Sequence, residues 1–178
     1  MIRIRAGMAC WAALLGFGAG VVSLPSLAAV TNPDGIAVII GNRGYGGDIP
    51  DVEFAHNDAD AMRAFVIEVL GYREGNVVDL RDATLGQMLS WFGGSGDSRG
   101  RLADWVRPGN SDVVVFYSGH GVPGIESGRG YLLPVDGDPN RPDITGYAVD
   151  LLQEKLAQIG ARTVTVYLDA CFSGVSHG

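Results

Sequence analysis

Cysteine is nearly absent: the 178 residues contain two, Cys10 and Cys171. Basic residues are also few, 13 Lys and Arg against 20 Asp and Glu, for a formal charge of −7. A chain this acidic offers no basic face for nucleic acid, so no nucleic-acid partner is expected. The Gly-rich stretch from Asn42 to Gly47 lacks both the G-x-G-x-x-G spacing and a following Lys-Ser/Thr. That excludes the usual dinucleotide and phosphate loops. Asp136, Asp138 and Asp143 lack the spacing of an EF-hand loop and are read as a polar turn. No metal ligands and no cofactor are assigned, and a calcium requirement is not indicated. Repeats and low-complexity tracts are missing, and the length suits one domain.

The N-terminus has a different character. Arg3 and Arg5 are followed by an uncharged, mostly apolar run from Met8 to Val22, then Pro25-Ser26-Leu27-Ala28-Ala29. A positive start, an apolar stretch and a small-x-small site read as a cleaved signal peptide over residues 1–29. The alternative is an uncleaved membrane anchor, which Gly16, Gly18 and Gly20 weaken. Cleavage implies an exported protein, periplasmic or secreted, with no membrane attachment afterwards. It removes Arg3 and Arg5, taking the charge from −7 to −9. It also removes Cys10 and leaves Cys171 as a lone thiol, which cannot form an internal disulfide. A lone thiol in an exported chain pairs between molecules or is reactive. Residues 30–34 read as a linker.

What remains is organised around two apolar runs. Val164-Thr165-Val166-Tyr167-Leu168 is β-branched and stops at Asp169-Ala170-Cys171-Phe172-Ser173-Gly174. It reads as a buried strand with a thiol just past its end. Asp112-Val113-Val114-Val115-Phe116-Tyr117 is a second strand and ends in Ser118-Gly119-His120-Gly121. Ligands of open α/β sheets bind at the carboxyl ends of strands. Neighbouring strands lie about 4.8 Å apart. If these two are adjacent and parallel, a nucleophile and a base meet at one edge.

Those blocks resemble the caspase-like cysteine proteases, with His120 lying 51 residues before Cys171. A caspase signature places its His about 50 residues upstream of the Cys. Asp at 169, where true caspases carry Gln, is similar to metacaspases, paracaspases and their bacterial relatives. The resemblance extends to Ile40-Gly41-Asn42 with nearby Tyr45, to Asn57-Asp58-Ala59, and to Tyr131-Leu132-Leu133-Pro134-Val135-Asp136. It implies a three-layer α/β/α sandwich with a mostly parallel sheet in the order 2-1-3-4, over a catalytic domain spanning 35–178. It further implies a Cys171/His120 dyad, an oxyanion hole from the N–H groups of Gly121 and Cys171, and a primary pocket lined by Asp58, Ser118 and Asp169. Such a pocket selects protein or peptide substrates with Arg or Lys before the cut bond. Each assignment has a plainer counterpart: a structural cysteine, a turn glycine, a first-turn helix acid at 58, a strand-end acid at 169. Family members continue with two further strands, so residues 163–168 are expected to form a bare apolar edge and the chain to lack its C-terminal strands. The oligomeric state is left open.

The rest of the chain alternates as such a sheet requires. Residues 35–41 read as a central strand. Asn57 reads as the cap of a helix that Gly71 ends, with His56 as a solvated loop residue. Residues 76–81 read as an edge strand, 84–92 as a helix, 102–106 as a helical turn, and Trp91, Phe92 and Trp105 as core. Residues 122–130 read as a loop, 131–136 as a short hairpin, and 149–159 as an amphipathic helix with Leu151, Leu152, Leu156 and Ile159 inward. Two rival readings are a catalytically silent caspase-like scaffold or inactive fragment, and a small ligand-binding domain of flavodoxin or receiver type. Silent members usually lose His or Cys, and this chain keeps both. The ligand-binding domain calls for a phosphate-type loop or an acidic cluster with a Lys, and neither is present.

Overall fold

The computed structural model describes residues 30–96, 98–124 and 128–172. The expected signal segment, part of the 93–98 loop and the Ser173-Gly174 turn lie outside them. Among the described residues no helix is long and apolar enough to cross a membrane.

Four strands form a parallel sheet: β1 (Ile36–Gly41), β2 (Val77–Arg81), β3 (Asp112–Ser118) and β7 (Thr163–Asp169), in the order β2-β1-β3-β7. β1 is buried at every position, as its unbroken apolar run requires of a strand covered on both faces. Its alternate residues feed two cores. Ile36, Val38 and Ile40 pack with Met88, Trp91, Leu102, Leu152 and Leu156. These come from α2 (Leu85–Phe92), α3 (Leu102–Trp105) and α5 (Val149–Gln158). Ala37 and Ile39 pack on the opposite face with Ala59 and Val66, from α1 (Ala55–Ala64) and the π-helical turn Phe65–Val69 that continues it. The result is the expected three layers.

A small antiparallel sheet joins the carboxyl end of β3. It consists of β4 (Gly121–Pro123), β5 (Gly130–Leu132) and β6 (Tyr147–Ala148), and α4 (Pro142–Thr145) lies between β5 and β6. This revises two expectations. The ends of the supposed 122–130 loop are strands, and 133–136 is not one. Arms of two or three residues are too short to show a period in sequence.

Other local readings shift as well. α1 begins at Ala55 with Phe54 at the cap position and no side-chain cap, so Asn57 lies inside the first turn. Tertiary packing sets that start: a Cβ on Gly41 would sit 2.6 Å from the Ala55 carbonyl oxygen. Trp105 is 40% exposed and meets buried Trp91 edge-on at 5.2 Å. Lys155, which its charge would place outside, is buried and donates to the Gly96 carbonyl. The buried reading of 164–168 fails: β7 is almost wholly exposed, with Val164 at 38%, Val166 at 37% and Tyr167 at 42%. It pairs with β3 on one side and with no described strand on the other, which matches the bare apolar edge.

Candidate active site

β3 and β7 are adjacent and parallel, and Ser118 is the register partner of Asp169. His120 and Cys171 therefore stand at equivalent positions, each two residues past the last pair, and the Gly119 N–H still donates to the Asp169 carbonyl at 3.2 Å. Cys171 is exposed, which leaves its thiol accessible.

The glycines beside His120 are sterically required. A Cβ on Gly119 would lie 2.7 Å from the Tyr117 hydroxyl and 2.8 Å from that of Tyr45. A Cβ on Gly121 would lie 2.9 Å from the Phe172 ring and 3.2 Å from the Ala170 Cβ. The Gly121 backbone thus lies directly against the two residues that flank the thiol.

His120 is held on several sides. Its N–H donates to the Tyr45 hydroxyl at 2.9 Å. Its carbonyl accepts from the Tyr117 hydroxyl at 2.8 Å and from the Leu133 N–H at 2.9 Å. Its ring lies 4.6 Å from the Tyr45 ring, tilted by 53°. Nε2 is 2.7 Å from the Pro50 carbonyl oxygen. A carbonyl only accepts, so Nε2 carries the proton in the neutral ring and Nδ1 presents the lone pair.

Pro50 and Tyr45 belong to the 42–54 loop, which has its own anchors. Fully buried Asn42 accepts from the Ala83 N–H at 2.7 Å and donates to the Ala83 and Leu133 carbonyls. Asp82 has a positive φ of 52°, a conformation Asp tolerates better than most residues. Its carboxylate accepts from the N–H groups of Arg43 at 2.8 Å and Gly44 at 2.9 Å, and His56 Nε2 lies 3.1 Å away. Burial works to raise the Asp82 pKa, but the Gly44 and Arg43 N–H bonds and His56 outweigh it and hold the carboxyl below its usual range. His56 thus has a partner, contrary to its solvated reading.

The three expected pocket residues also come together. Ser118 is buried, and its hydroxyl lies 3.3 Å from Asp58 Oδ2 and 3.5 Å from Asp169 Oδ2. One hydroxyl proton serves one carboxylate at a time. Among the described residues no Lys, Arg or His forms an ion pair with either acid. The acids of the 136–143 region are used separately. Asp136 accepts from the Leu85 N–H at 2.8 Å, Asp138 from the Asn140 N–H at 2.9 Å and Asp143 from the Tyr131 hydroxyl at 2.9 Å. Among the described residues no three His, Cys, Asp or Glu side chains are grouped to hold a metal.

Sequence reasoning assigned no function to Pro50, Tyr45, Tyr117 or Asp82. A carbonyl acceptor leaves no residue-type signal, and Asp82 acts through a turn. Tyr45 and Tyr117 had a trace, the first in its place within the Asn-x-x-Tyr stretch and the second at the head of the Tyr117-Ser118-Gly119-His120-Gly121 block.

With the parallel sheet, its order and the convergent carboxyl edge described, the class is a caspase-like α/β domain. The caspase-domain model of peptidase family C14 matches residues 34–178, and the chain belongs to that family. It is a protease-like domain of the cysteine type. No curated protein matches the chain.

Proposed function

We propose that the chain is a cysteine endopeptidase that cleaves peptide bonds after Arg or Lys through Cys171 and His120. The observation that carries this reading is the register: a thiol and an imidazole at equivalent positions past two paired parallel strands. The imidazole, moreover, has Nε2 occupied by a carbonyl. Nδ1 takes the proton from the Cys171 thiol, and the thiolate attacks the scissile carbonyl carbon. The N–H groups of Gly121 and Cys171 receive the developing oxyanion; the close approach of Gly121 to Ala170 and Phe172 supports that pairing. Collapse breaks the C–N bond, and the imidazolium protonates the departing amine. The thioester is then hydrolysed by a water whose proton passes to His120. Every step uses protein groups and water, so the reading requires no cofactor.

The basic preference rests on Asp58 and Asp169, two carboxylates converging on one hydroxyl without a basic partner among the described residues. A guanidinium has five donors and can bridge both. The leader read at residues 1–29 supports an exported protease.

The test is covalent labelling. An arginyl chloromethylketone is expected to modify Cys171, an aspartyl analogue is not, and Cys171→Ala abolishes labelling with the fold retained. Turnover of an arginyl peptide is expected to fall about 10²–10⁴-fold in His120→Ala. Equal labelling of parent and Cys171→Ala removes the endopeptidase reading in favour of a silent scaffold.

A further inference from the structure

We propose that Tyr45, together with Tyr117, is a positioning residue for His120, setting the imidazole against Cys171 from behind. The proposal rests on the reading of His120 as the base. The two phenols grip opposite ends of one residue: the His120 N–H donates to the Tyr45 oxygen at 2.9 Å, and the Tyr117 hydroxyl donates to the His120 carbonyl at 2.8 Å. They share one further acceptor, the Leu133 carbonyl, 3.1 Å from the Tyr45 oxygen and 2.8 Å from that of Tyr117. The hydroxyls are themselves 3.4 Å apart. Each phenol has one proton, and the acceptors available to the pair outnumber them. The cluster is buried, with Tyr45 8% and Tyr117 0% exposed, so water does not compete for these bonds. Burial raises both phenol pKa values, which keeps the hydroxyls neutral donors through the working range.

Backbone grip alone would leave the ring free to rotate about χ1 and χ2. The Tyr45 ring at 4.6 Å limits that rotation, and the Pro50 carbonyl, five residues further along the same loop, takes Nε2. Tyr45 thus fixes both the peptide and the ring. Gly119 completes the device, because any side chain there would displace one of the two hydroxyls. A misplacement of about 1 Å at a reacting group is enough to cost about 10²-fold.

The experiment is the pH dependence of Cys171 alkylation by iodoacetamide, read from the mass of the Cys171 peptide, on the full chain. Arginyl-peptide kinetics run in parallel. With His120 positioned as base, the parent is expected to alkylate faster than His120→Ala at pH 6. His120→Ala is expected to lose that advantage across the whole profile. Tyr45→Phe keeps the ring and loses only the hydroxyl. Its profile is expected to move toward that of His120→Ala, with alkylation at pH 6 and kcat each falling about 10-fold and KM unchanged within about twofold. A parent-like Tyr45→Phe profile beside a shifted His120→Ala profile overturns the positioning role and leaves the dyad standing. An unshifted His120→Ala profile overturns the dyad and the positioning role together. If Tyr45→Phe loses its circular dichroism signature, Tyr117→Phe is read in its place, and a parent-like profile there overturns the proposal.

Discussion

The two ends of the parallel sheet use the same residue types in opposite ways. At the amino end Asp112 is saturated: Arg162 pairs with it, Thr163 donates at 2.6 Å and Asn32 at 2.7 Å. Nearby, Asp34 pairs with Arg107 at 2.7 Å. The hydrogen bond from Arg162 is the main reason that the Asp112 carboxyl sits well below the usual carboxylate range. At the carboxyl end Asp58 and Asp169 share the Ser118 hydroxyl, and among the described residues neither has a basic partner. Where an acid meets a cation from its own chain, the pair ties strand starts together. Where two acids meet without one, the proposed function has them receive a cation from the substrate. Charge count alone does not separate these uses; the partners do.

The sharpest way to break this comparison is to neutralise one acid at each end. Asp169→Asn is expected to lower kcat/KM for arginyl peptides by one to two orders of magnitude, because a charge-assisted contact is worth about 1.5–3 kcal/mol and tenfold is about 1.4 kcal/mol. Its melting temperature should stay near that of the parent. Kinetics paired with thermal unfolding check this. Unfolding without loss of Arg preference would make Asp169 a structural acid like Asp112.

Asp112→Ala should do the reverse. It leaves Arg162, Thr163 and Asn32 without their shared acceptor, at a cost of about 1–3 kcal/mol. The melting temperature is expected to fall by about 3–8 °C, with arginyl-peptide kinetics unchanged. Differential scanning calorimetry beside the same assay measures both. A kinetic defect without destabilisation would erase the distinction between the ends.

The smallest effect concerns acid. Asp82 and Asp112 both have folded pKa values below their unfolded value of about 3.9. Each contributes stability that is full above that value and is lost as pH falls through the folded pKa. The displacement is the larger at Asp112, so its contribution persists to lower pH. Mild acid should therefore loosen the 42–54 loop before it frees the start of β7. Melting temperature against pH below about 4 is expected to be flatter in Asp82→Asn than in the parent, and an unchanged slope would show that Asp82 does not anchor the loop. Asp82 is too exposed for this to be more than a modest effect.

Much of this was legible beforehand. Unbroken β-branched runs have few alternatives to buried parallel strands, so β1 and β3 and the motifs at their ends could be read directly. The capping box at α2 was also written in the chain, as Thr84 with Gln87 three residues on, although it passed unnoticed. The start of α1 was misread because Asn57 is a good cap in isolation, while the approach of Gly41 to Ala55 sets the start three residues earlier. β7 was misread because its composition is that of a buried strand, whereas exposure depends on which neighbours are present.

By itself the sequence determined which residues are candidates for chemistry and where they lie: a His and a Cys at strand ends, flanked by glycine or small residues, with acids at 58 and 169. Local propensity and hydrophobic period suffice for that, since both act over a few neighbours. Only the tertiary structure decided what each group faces. It set Pro50 against Nε2, two buried hydroxyls around the His120 peptide, one serine between two acids, and arginine partners for Asp112 and Asp34 but no basic partner for Asp58 or Asp169 among the described residues. These contacts join segments up to 75 residues apart, and most of their acceptors are carbonyls or carboxylates whose identity says nothing about their donors.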